Sequence, residues 1–158
     1  MSALAPGDPA PNVTLSLHNG DSANLADLWK DHVVVLFFYP KDNTTVCTKE
    51  ACAFRDAYEA FTDAGATVVG VSSDSAESHQ GFAAQHRLPY LLATDADGAL
   101  RKAFGVPKTL GLLPGRVTYV IDRGGVVRRV FSAQLAADRH VREALAAVRQ
   151  IPLPSREG

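Results

Sequence analysis

Cys47 and Cys52 are the only two cysteines in the 158-residue sequence, and they are separated by five positions. A thiolate is a strong nucleophile, and two nearby thiols can form a disulfide that external thiols reduce. Two cysteines are too few for the disulfide framework of a small secreted domain or for a structural zinc site. The pair therefore favours redox catalysis, with two unreactive thiols on a helix as the alternative.

The residues before Cys47 predict how its sulfur would be activated. Residues 37–52 read FFYPKDNTTVCTKEAC, which is the end of a buried strand, a polar turn and the start of a helix. Pro40 ends the strand, so Cys47 falls near the first turn of the helix. The unpaired N–H groups of that turn carry a partial positive charge, which stabilises a thiolate relative to a thiol. The site also lies at the carboxyl end of a central strand, where α/β sheets bind ligands.

The spacing of Pro40, Thr44 and Cys47 resembles a known catalytic signature. These residues fit Pro-x-x-x-Thr-x-x-Cys, the active-site motif of the peroxiredoxins. The segments YPKD and CTKEAC are similar to the Q-type branch, the bacterioferritin comigratory proteins, in which a resolving cysteine often sits where Cys52 does. Arg116 begins the segment RVTYVID and resembles the family's second motif, an arginine that opens a late strand.

This resemblance implies a peroxidase cycle that needs neither a cofactor nor a metal. Cys47 would attack hydrogen peroxide or an organic hydroperoxide and become a sulfenic acid. Cys52 would then form an intramolecular disulfide with it, which thioredoxin or a similar dithiol would reduce. Arg116 would hold the thiolate and the peroxide, Thr44 would position the attacked oxygen, and Pro40 would shield the sulfur. Such a cycle would serve antioxidant defence.

Each of these assignments has a simpler structural alternative. Cys52 is alternatively a small buried helix residue, and an outside thiol then resolves Cys47 directly. Arg116 alternatively pairs with a surface carboxylate, Thr44 is only a helix N-cap, and Pro40 only ends a strand. For the whole protein, the alternatives are a general disulfide oxidoreductase and a non-catalytic binding or holdase module. The absence of a C-x-x-C spacing argues against the first, and the absence of a large basic or apolar patch argues against the second.

Thr45 and Val46, beside Cys47, stand where the Q-type branch commonly has proline and glycine. A β-branched residue is strained at a positive φ, so Val46 is unsuitable if the glycine serves that purpose. If the glycine only permits close approach, valine narrows the pocket instead. We expect these changes to affect substrate size and rate more than the reaction itself.

The separation of the two cysteines predicts a conformational change. Five residues along an ideal helix rise about 7.5 Å and turn about 140°, which places their Cα atoms about 8.6 Å apart. A disulfide requires Cα atoms within about 7 Å. The first turns of the helix must therefore unwind before Cys47 and Cys52 can bond. We expect a folded reduced form and a locally unfolded disulfide form.

Hydrophobic periodicity predicts an α/β protein around this site. Asp-Arg-Gly-Gly between the last two strands indicates a hairpin, Gly65 is expected to close the long helix, and Asp74 with Glu77 resembles a capping box. The order resembles a thioredoxin-like fold with a mixed central sheet, helices on both faces and an N-terminal hairpin. Strands are predicted at 13–17, 33–39, 66–72, 90–93, 117–121 and 126–131, and helices at 25–30, from 48, from about 75, at 99–104 and around 141–148.

Length and charge restrict the other possibilities. A chain of 158 residues fits one domain, 1–158, with residues 151–158 expected to be a loose tail. A net charge of -1 does not favour nucleic acid or anionic lipid as a partner, and the longest apolar run, 33–39, is too short to span a membrane. Residues 1–10 lack the features of a secretory signal, so we expect a cytoplasmic protein. The intramolecular cysteine pair favours a monomer.

The sequence indicates no functional role for Glu50 or for the histidines. Glu50 is expected to interact with Lys49 or with nearby arginines, without a part in catalysis. The five histidines show no metal-ligand spacing. His79 and His86 are two turns apart on one helix face, which indicates a solvated surface.

Overall fold

The run of β-branched and aromatic residues after position 32 forms the centre of the sheet. The computed structural model describes residues 4–106, 108–109, 113–133 and 136–152. In it the run is strand β3, Val33–Phe38, whose six residues are all buried. Val35 and Phe37 belong to the core on one face of the sheet, and Leu36 and Phe38 to the core on the other. This alternation buries β3 on both sides, as its uniform hydrophobicity predicts.

The described residues form a seven-stranded mixed sheet, a separate two-stranded ribbon and five α-helices. The strand order in the large sheet is β2-β1-β5-β4-β3-β8-β9, and β6 pairs with β7 in the ribbon. The strands are β1 Thr14–Leu17, β2 Ser22–Asn24, β3 Val33–Phe38, β4 Ala66–Ser72, β5 Leu91–Thr94, β6 Lys108–Thr109, β7 Leu113–Pro114, β8 Val117–Ile121 and β9 Val127–Ser132. The helices are α1 Leu25–Asp31, α2 Thr45–Asp63, α3 Ala76–His86, α4 Ala99–Phe104 and α5 Ala137–Arg149.

Strand direction determines which ends of the elements meet. β4 pairs in parallel with β3, whereas β8 pairs antiparallel with its other side. Phe38, at the end of β3, lies opposite Val117, at the start of β8. The loop that leads from β3 into α2 therefore starts beside the residue that precedes β8. Helices α2, α3 and α5 pack on one face of the sheet, and α1 and α4 pack on the other.

The predicted α/β fold with a mixed sheet, helices on both faces and an N-terminal hairpin is confirmed. Gly65 follows the end of α2 with a φ of 84°, a left-handed conformation that glycine adopts without strain. The capping box is wrong, because Ser75 is the N-cap of α3 and accepts from the backbone N–H of Ser78. Helix α2 begins at Thr45, three residues before the expected start, and the ribbon of β6 and β7 was not predicted.

The end of the chain is only partly described. Ile151 packs against the core on the α2 face, so this residue is not part of a loose tail. Residues 153–158 lie outside the described residues, and the prediction for them stays a prediction, as does the single domain over 1–158. In the part of the chain that the structure describes, no helix combines the length and the apolar character needed to cross a membrane.

Candidate active site

Cys47 is the third residue of α2, in the first turn, as the sequence predicts. Thr44 is the N-cap residue and has extended backbone angles, φ -86° and ψ 156°. Its hydroxyl donates to the carbonyl of Lys41 at 3.0 Å and does not cap the helix. Asn43 before it has a φ of 64°, a left-handed conformation that asparagine tolerates better than most residues. The turn thus directs the amino end of α2 and its N–H groups toward the site of Cys47.

A guanidinium lies against the sulfur of Cys47. Arg116 donates from Nη2 to Cys47 Sγ at 3.1 Å, although 69 positions separate the two residues. The side-by-side pairing of β3 and β8 makes this contact possible, because Arg116 directly precedes β8. Cys47 is 1% exposed and Arg116 is 4% exposed, so the charge and the sulfur interact largely away from water. A positive charge in this position stabilises the thiolate form of the sulfur.

Glu50 completes the site. Its predicted interaction with an arginine is confirmed, but sequence reasoning did not place it beside Cys47. Arg116 Nη1 donates to Glu50 Oε1 at 2.8 Å, so one guanidinium bridges this carboxyl group and the sulfur of Cys47. The partner of Arg116 is therefore a buried carboxyl group, and the alternative of a surface carboxylate is wrong. Burial raises the pKa of Glu50 to about 7, although the charge and hydrogen bond of Arg116 act to lower it. Because Glu50 follows Cys47 by three residues, both lie on the same face of α2.

Val46 does not have the backbone conformation for which a glycine would be needed. It lies inside α2 and does not have a positive φ. Among the described residues, the residues other than glycine that have a positive φ are Asn43 and Arg87. Valine is thus compatible with the backbone here, and the remaining expectation is that its side chain narrows the approach to Cys47.

Cys52 lies on the same helix but has different surroundings. It is partly exposed and borders a surface groove of about 560 Å³ between α2 and α5. Lys49, Asp56 and Arg142 also line this groove. Both cysteines are free thiols, and α2 is continuous from Thr45 to Asp63. The helix must therefore open before the two sulfurs can bond, and this opening stays a prediction.

Pro40 and Thr44 occupy the loop between β3 and α2, on the route to Cys47. Pro40 directly follows Tyr39, which hydrogen bonds to β4, and it is partly buried, whereas Thr44 is exposed. Their positions are compatible with shielding the sulfur and with contacting a peroxide. Both roles stay predictions.

A buried network attaches this loop to α3. The carboxyl group of Asp42 accepts from Tyr39 Oη at 2.6 Å, from Ser78 Oγ at 2.9 Å and from His79 Nδ1 at 2.7 Å. The other ring nitrogen of His79 lies 3.1 Å from the carbonyl oxygen of Ala93. Both ring nitrogens thus lie within hydrogen-bond distance of oxygen atoms, so the ring of His79 is held from two sides. His79 is fully buried, so the prediction that it lies on the solvated surface is wrong.

The same network includes a group of potential metal ligands, Asp42, Asp74 and His79, whose ligand atoms lie within 4.8 Å of one another. Both ring nitrogens of His79 already lie within hydrogen-bond distance of oxygen atoms, Nδ1 beside Asp42 and Nε2 beside Ala93. Asp74 Oδ2 accepts from the backbone N–H of Asp42 at 2.8 Å and from Ser72 Oγ at 2.6 Å. The cluster therefore acts as a hydrogen-bonded support for the loop.

Asp42→Asn is expected to lower the free energy of unfolding by about 3–5 kcal/mol at neutral pH, because it removes the buried carboxylate on which three hydrogen-bonding groups converge. Burial acts to raise the pKa of Asp42, but hydrogen bonds from His79 and Tyr39 outweigh it and lower the pKa from 3.8. An acid whose pKa is lowered by folding stabilises the folded state above its unfolded pKa. The contribution is lost as the pH falls through the lower, folded value.

Urea unfolding at neutral pH and near pH 3 measures this difference. The difference in unfolding free energy between the wild type and Asp42→Asn should be large at neutral pH. It should be smaller in acid, where the wild-type protein also loses the stabilisation that the Asp42 carboxylate provides. Asp56→Asn is the matched control, because the carboxyl group of Asp56 is 70% exposed and pairs only with its neighbour Arg55 in the described residues. Equal stability of wild type and Asp42→Asn at neutral pH would contradict a stabilising role for the Asp42 carboxylate.

The sequence of this chain is similar to those of one known protein family. The family model described as "AhpC/TSA family" matches residues 6–130. "Peroxiredoxin Q, chloroplastic" of Triticum aestivum is 44% identical over 149 residues, which cover 94% of this chain and 68% of that protein. The protein of the same name from Sedum lineare is 46% identical over 146 residues, which cover 92% of this chain and 78% of that protein.

Solved structures show the same similarity. The peroxidoxin BcpB of Mycobacterium tuberculosis superposes with a TM-score of 0.87 at 39% identity, covering 94% of this chain and 99% of that chain. A bacterioferritin comigratory protein of Xanthomonas campestris, described for its alkyl peroxide reduction activity, has a TM-score of 0.80 at 32% identity. The alignment covers 90% of this chain and 98% of that chain. These similarities confirm the thioredoxin-like fold predicted from the order of elements.

Proposed function

We propose that the sulfur of Cys47 attacks the peroxide, because this chain belongs to the AhpC/TSA family of thiol peroxidases. The chain is an oxidoreductase that reduces a peroxide at the expense of a dithiol. The observation that carries the assignment of Cys47 is the hydrogen bond from Arg116 Nη2 to its sulfur at 3.1 Å. Of the two cysteines, Cys47 is the one in the first turn of α2.

The proposed reaction starts from the thiolate of Cys47. Its sulfur attacks one peroxide oxygen, the O–O bond breaks, and the other oxygen leaves as hydroxide or alkoxide, which takes up a proton. Cys47 becomes a sulfenic acid, and the product is water or an alcohol. Arg116 stabilises the charge that develops on the oxygens, and Thr44 and Pro40 position and shield them. We propose hydrogen peroxide and organic hydroperoxides as substrates, in line with the alkyl peroxide activity of the Xanthomonas campestris protein.

The proposed second half of the cycle uses Cys52. After the first turns of α2 unwind, the thiolate of Cys52 attacks the sulfur of the sulfenic acid and a Cys47–Cys52 disulfide forms. The hydroxyl group leaves as hydroxide, which takes up a proton to become water. The groove beside Cys52 is open to solvent, which supports access for thioredoxin or a similar dithiol to this end of the helix. An intramolecular disulfide needs no second subunit, so we propose a monomer. Two cysteines are too few for the disulfide framework of a small secreted domain, and we propose the cytoplasm.

Mass spectrometry after one equivalent of hydrogen peroxide tests this cycle. We expect the wild-type protein to lose two hydrogens and to yield one crosslinked peptide pair containing Cys47 and Cys52. Cys52→Ser should instead accumulate sulfenic acid at Cys47, and its turnover with thioredoxin should fall at least about tenfold because no internal thiol resolves it. Ala53→Ser, the neighbouring position in the same groove, is the control and should behave as wild type.

Two outcomes would contradict the proposal. Full turnover in Cys52→Ser would remove Cys52 from the cycle and indicate resolution by an outside thiol. Rapid reduction of insulin disulfides, with slow consumption of peroxide, would favour a general disulfide oxidoreductase.

A further inference from the structure

Tyr90, directly before β5, holds the peptide unit that carries Cys52. Its hydroxyl donates to the carbonyl oxygen of Ala51 at 2.7 Å, across 39 positions of the chain. The carbonyl group of Ala51 and the N–H of Cys52 belong to one planar peptide unit. Tyr90 is 3% exposed, and burial raises the pKa of its hydroxyl well above the ordinary value, so the group keeps its proton and remains a donor. The backbone at Cys52 is thus fixed from the core, although the side chain of Cys52 is partly exposed.

Further contacts attach the same part of α2 to its surroundings. Arg55 donates from Nη1 to the carbonyl oxygen of His86, the last residue of α3, at 2.9 Å. Ala51 and Phe54 are buried, and the ring of Phe54 stacks on that of Phe37 in β3, with centroids 4.4 Å apart. From Ala51 onward, α2 is therefore attached to the core and to the segment that links α3 with β5.

The part of α2 before Ala51 is held differently. Residues 44–46, 48 and 49 are exposed or partly exposed. The buried residues here, Cys47 and Glu50, both accept from the guanidinium of Arg116. Oxidation replaces the thiolate of Cys47 by a neutral sulfenic acid, and a hydrogen bond to a neutral acceptor is roughly half as strong as one to an anion. The contact that holds the first turn therefore weakens at the step that precedes unwinding.

We propose that Tyr90 is a positioning residue that stops the unwinding of α2 at Ala51, so that Cys47 moves toward a Cys52 whose backbone stays fixed. This inference rests on the proposed cycle, in which the two sulfurs bond. The bond requires their Cα atoms to approach within about 7 Å. The rate of this approach depends on how many conformations the two ends can adopt, and fixing one end reduces that number. The hydroxyl of Tyr90 therefore speeds the formation of the disulfide.

Hydrogen exchange of the reduced full-length protein locates the end of the unwinding segment. In an α-helix, the N–H of each residue donates to the carbonyl group four residues earlier, so the amide of Arg55 reports on Ala51. We expect amides 48–54, whose acceptors precede Ala51, to exchange faster than amides 55–63. In Tyr90→Phe, the amides of Arg55 and the following turn should exchange about three- to tenfold faster than in the wild type, the effect of losing one buried hydrogen bond.

Rapid quenching after one addition of hydrogen peroxide measures the effect on the reaction as two rates, the loss of the Cys47 thiol and the formation of the disulfide. We expect Tyr90→Phe to keep the first rate, because the hydroxyl of Tyr90 bonds to Ala51 and not to Cys47. The second rate should fall about three- to tenfold. The sulfenic acid then persists longer, and a second hydrogen peroxide converts more of it to sulfinic acid and water. A loss of stability alone would not separate the two rates.

Tyr58→Phe is the matched control. It removes a hydroxyl from α2 itself, at a partly exposed position whose ring centroid lies 6.1 Å from that of Tyr90. It should leave the exchange pattern and both rates as in the wild type. Tyr90→Phe should fold, because the carbonyl group of Ala51 keeps its helical hydrogen bond from the N–H of Arg55.

Each possible result decides the question. If amides 55–58 of the wild type exchange as fast as amides 48–54, the unwinding passes Ala51 and the proposal is wrong, whether or not the variant folds. A folded Tyr90→Phe protein with the wild-type exchange pattern, or with an unchanged or faster rate of disulfide formation, would also overturn it. A wild-type protein that forms no disulfide between Cys47 and Cys52 would contradict the proposed cycle instead, and the exchange pattern would still report whether Tyr90 holds α2 at Ala51.

Discussion

Cys47→Ser is expected to reduce peroxide consumption to the rate of buffer alone, a loss on the order of 10⁴-fold or more, as found when a nucleophile is removed. A serine hydroxyl is not ionised at neutral pH, and its oxygen cannot form the sulfenic acid that stores the oxidising equivalent. The hydrogen bond from Arg116 cannot compensate, because it stabilises a charge that serine does not carry. The measurement is consumption of hydrogen peroxide with a thioredoxin system, under excess reductant.

Cys52→Ser is the matched control, since it makes the same chemical change five positions away on the same helix. It should still react with one equivalent of peroxide, whereas Cys47→Ser should not react at all. Both variants should keep the circular dichroism spectrum of the wild type. Wild-type consumption by a folded Cys47→Ser protein would show that another residue attacks the peroxide and that the site is misplaced.

The local parts of this site could be predicted from the sequence because they depend on neighbouring residues. Buried strand β3, the end of the strand at Pro40 and the start of a helix near Cys47 follow from hydrophobic runs, proline and helical periodicity. The predicted start of α2 was three residues too late because Thr45 and Val46 are weak helix formers. The turn geometry at Asn43 decides where the helix begins.

The contact of Arg116 with Cys47 was expected from the family resemblance alone, and the buried contacts of Glu50 and Asp42 were not predicted, because they depend on which strands lie side by side. Glu50 and Arg116 are 66 positions apart, and Asp42 and His79 are 37 positions apart. One signal was present in the sequence: Glu50 follows Cys47 by three residues and precedes Phe54 by four, so it interrupts a buried helical face. A charged residue in such a position is rarely buried without a partner, and that rule predicts that a basic residue lies against Glu50.

The same reasoning applies to the histidines. His79 precedes Phe82 and Ala83 by three and four residues, on the buried face of α3, and His140 precedes Ala144 by four on the buried face of α5. Helical spacing therefore indicated burial for both. The spacing of His79 and His86 alone predicts a surface, whereas the apolar residues between them, Phe82 and Ala83, show that this side of α3 is buried.

Arg116→Gln is expected to lower the second-order rate constant for oxidation of Cys47 by about 10²–10³-fold, the effect of losing a donor aimed at developing charge. The guanidinium donates from two nitrogens, to the sulfur at 3.1 Å and to Glu50 at 2.8 Å. Glutamine carries no charge to stabilise the thiolate or the departing oxygen. Arg116→Lys keeps the charge but lacks the planar fork, so it should recover only part of the rate.

Stopped-flow measurement with hydrogen peroxide, following Cys47 by quenching and mass spectrometry, separates this effect from a loss of folding. Arg129→Gln is the matched control, because Arg129 pairs with Glu143 at 3.1 Å on the partly exposed surface and should keep the wild-type rate. The rate in Arg116→Lys should lie between those of Arg116→Gln and the wild type. If Arg116→Gln folds and oxidises at the wild-type rate, the helix amino end alone activates Cys47, and the guanidinium serves only to neutralise Glu50.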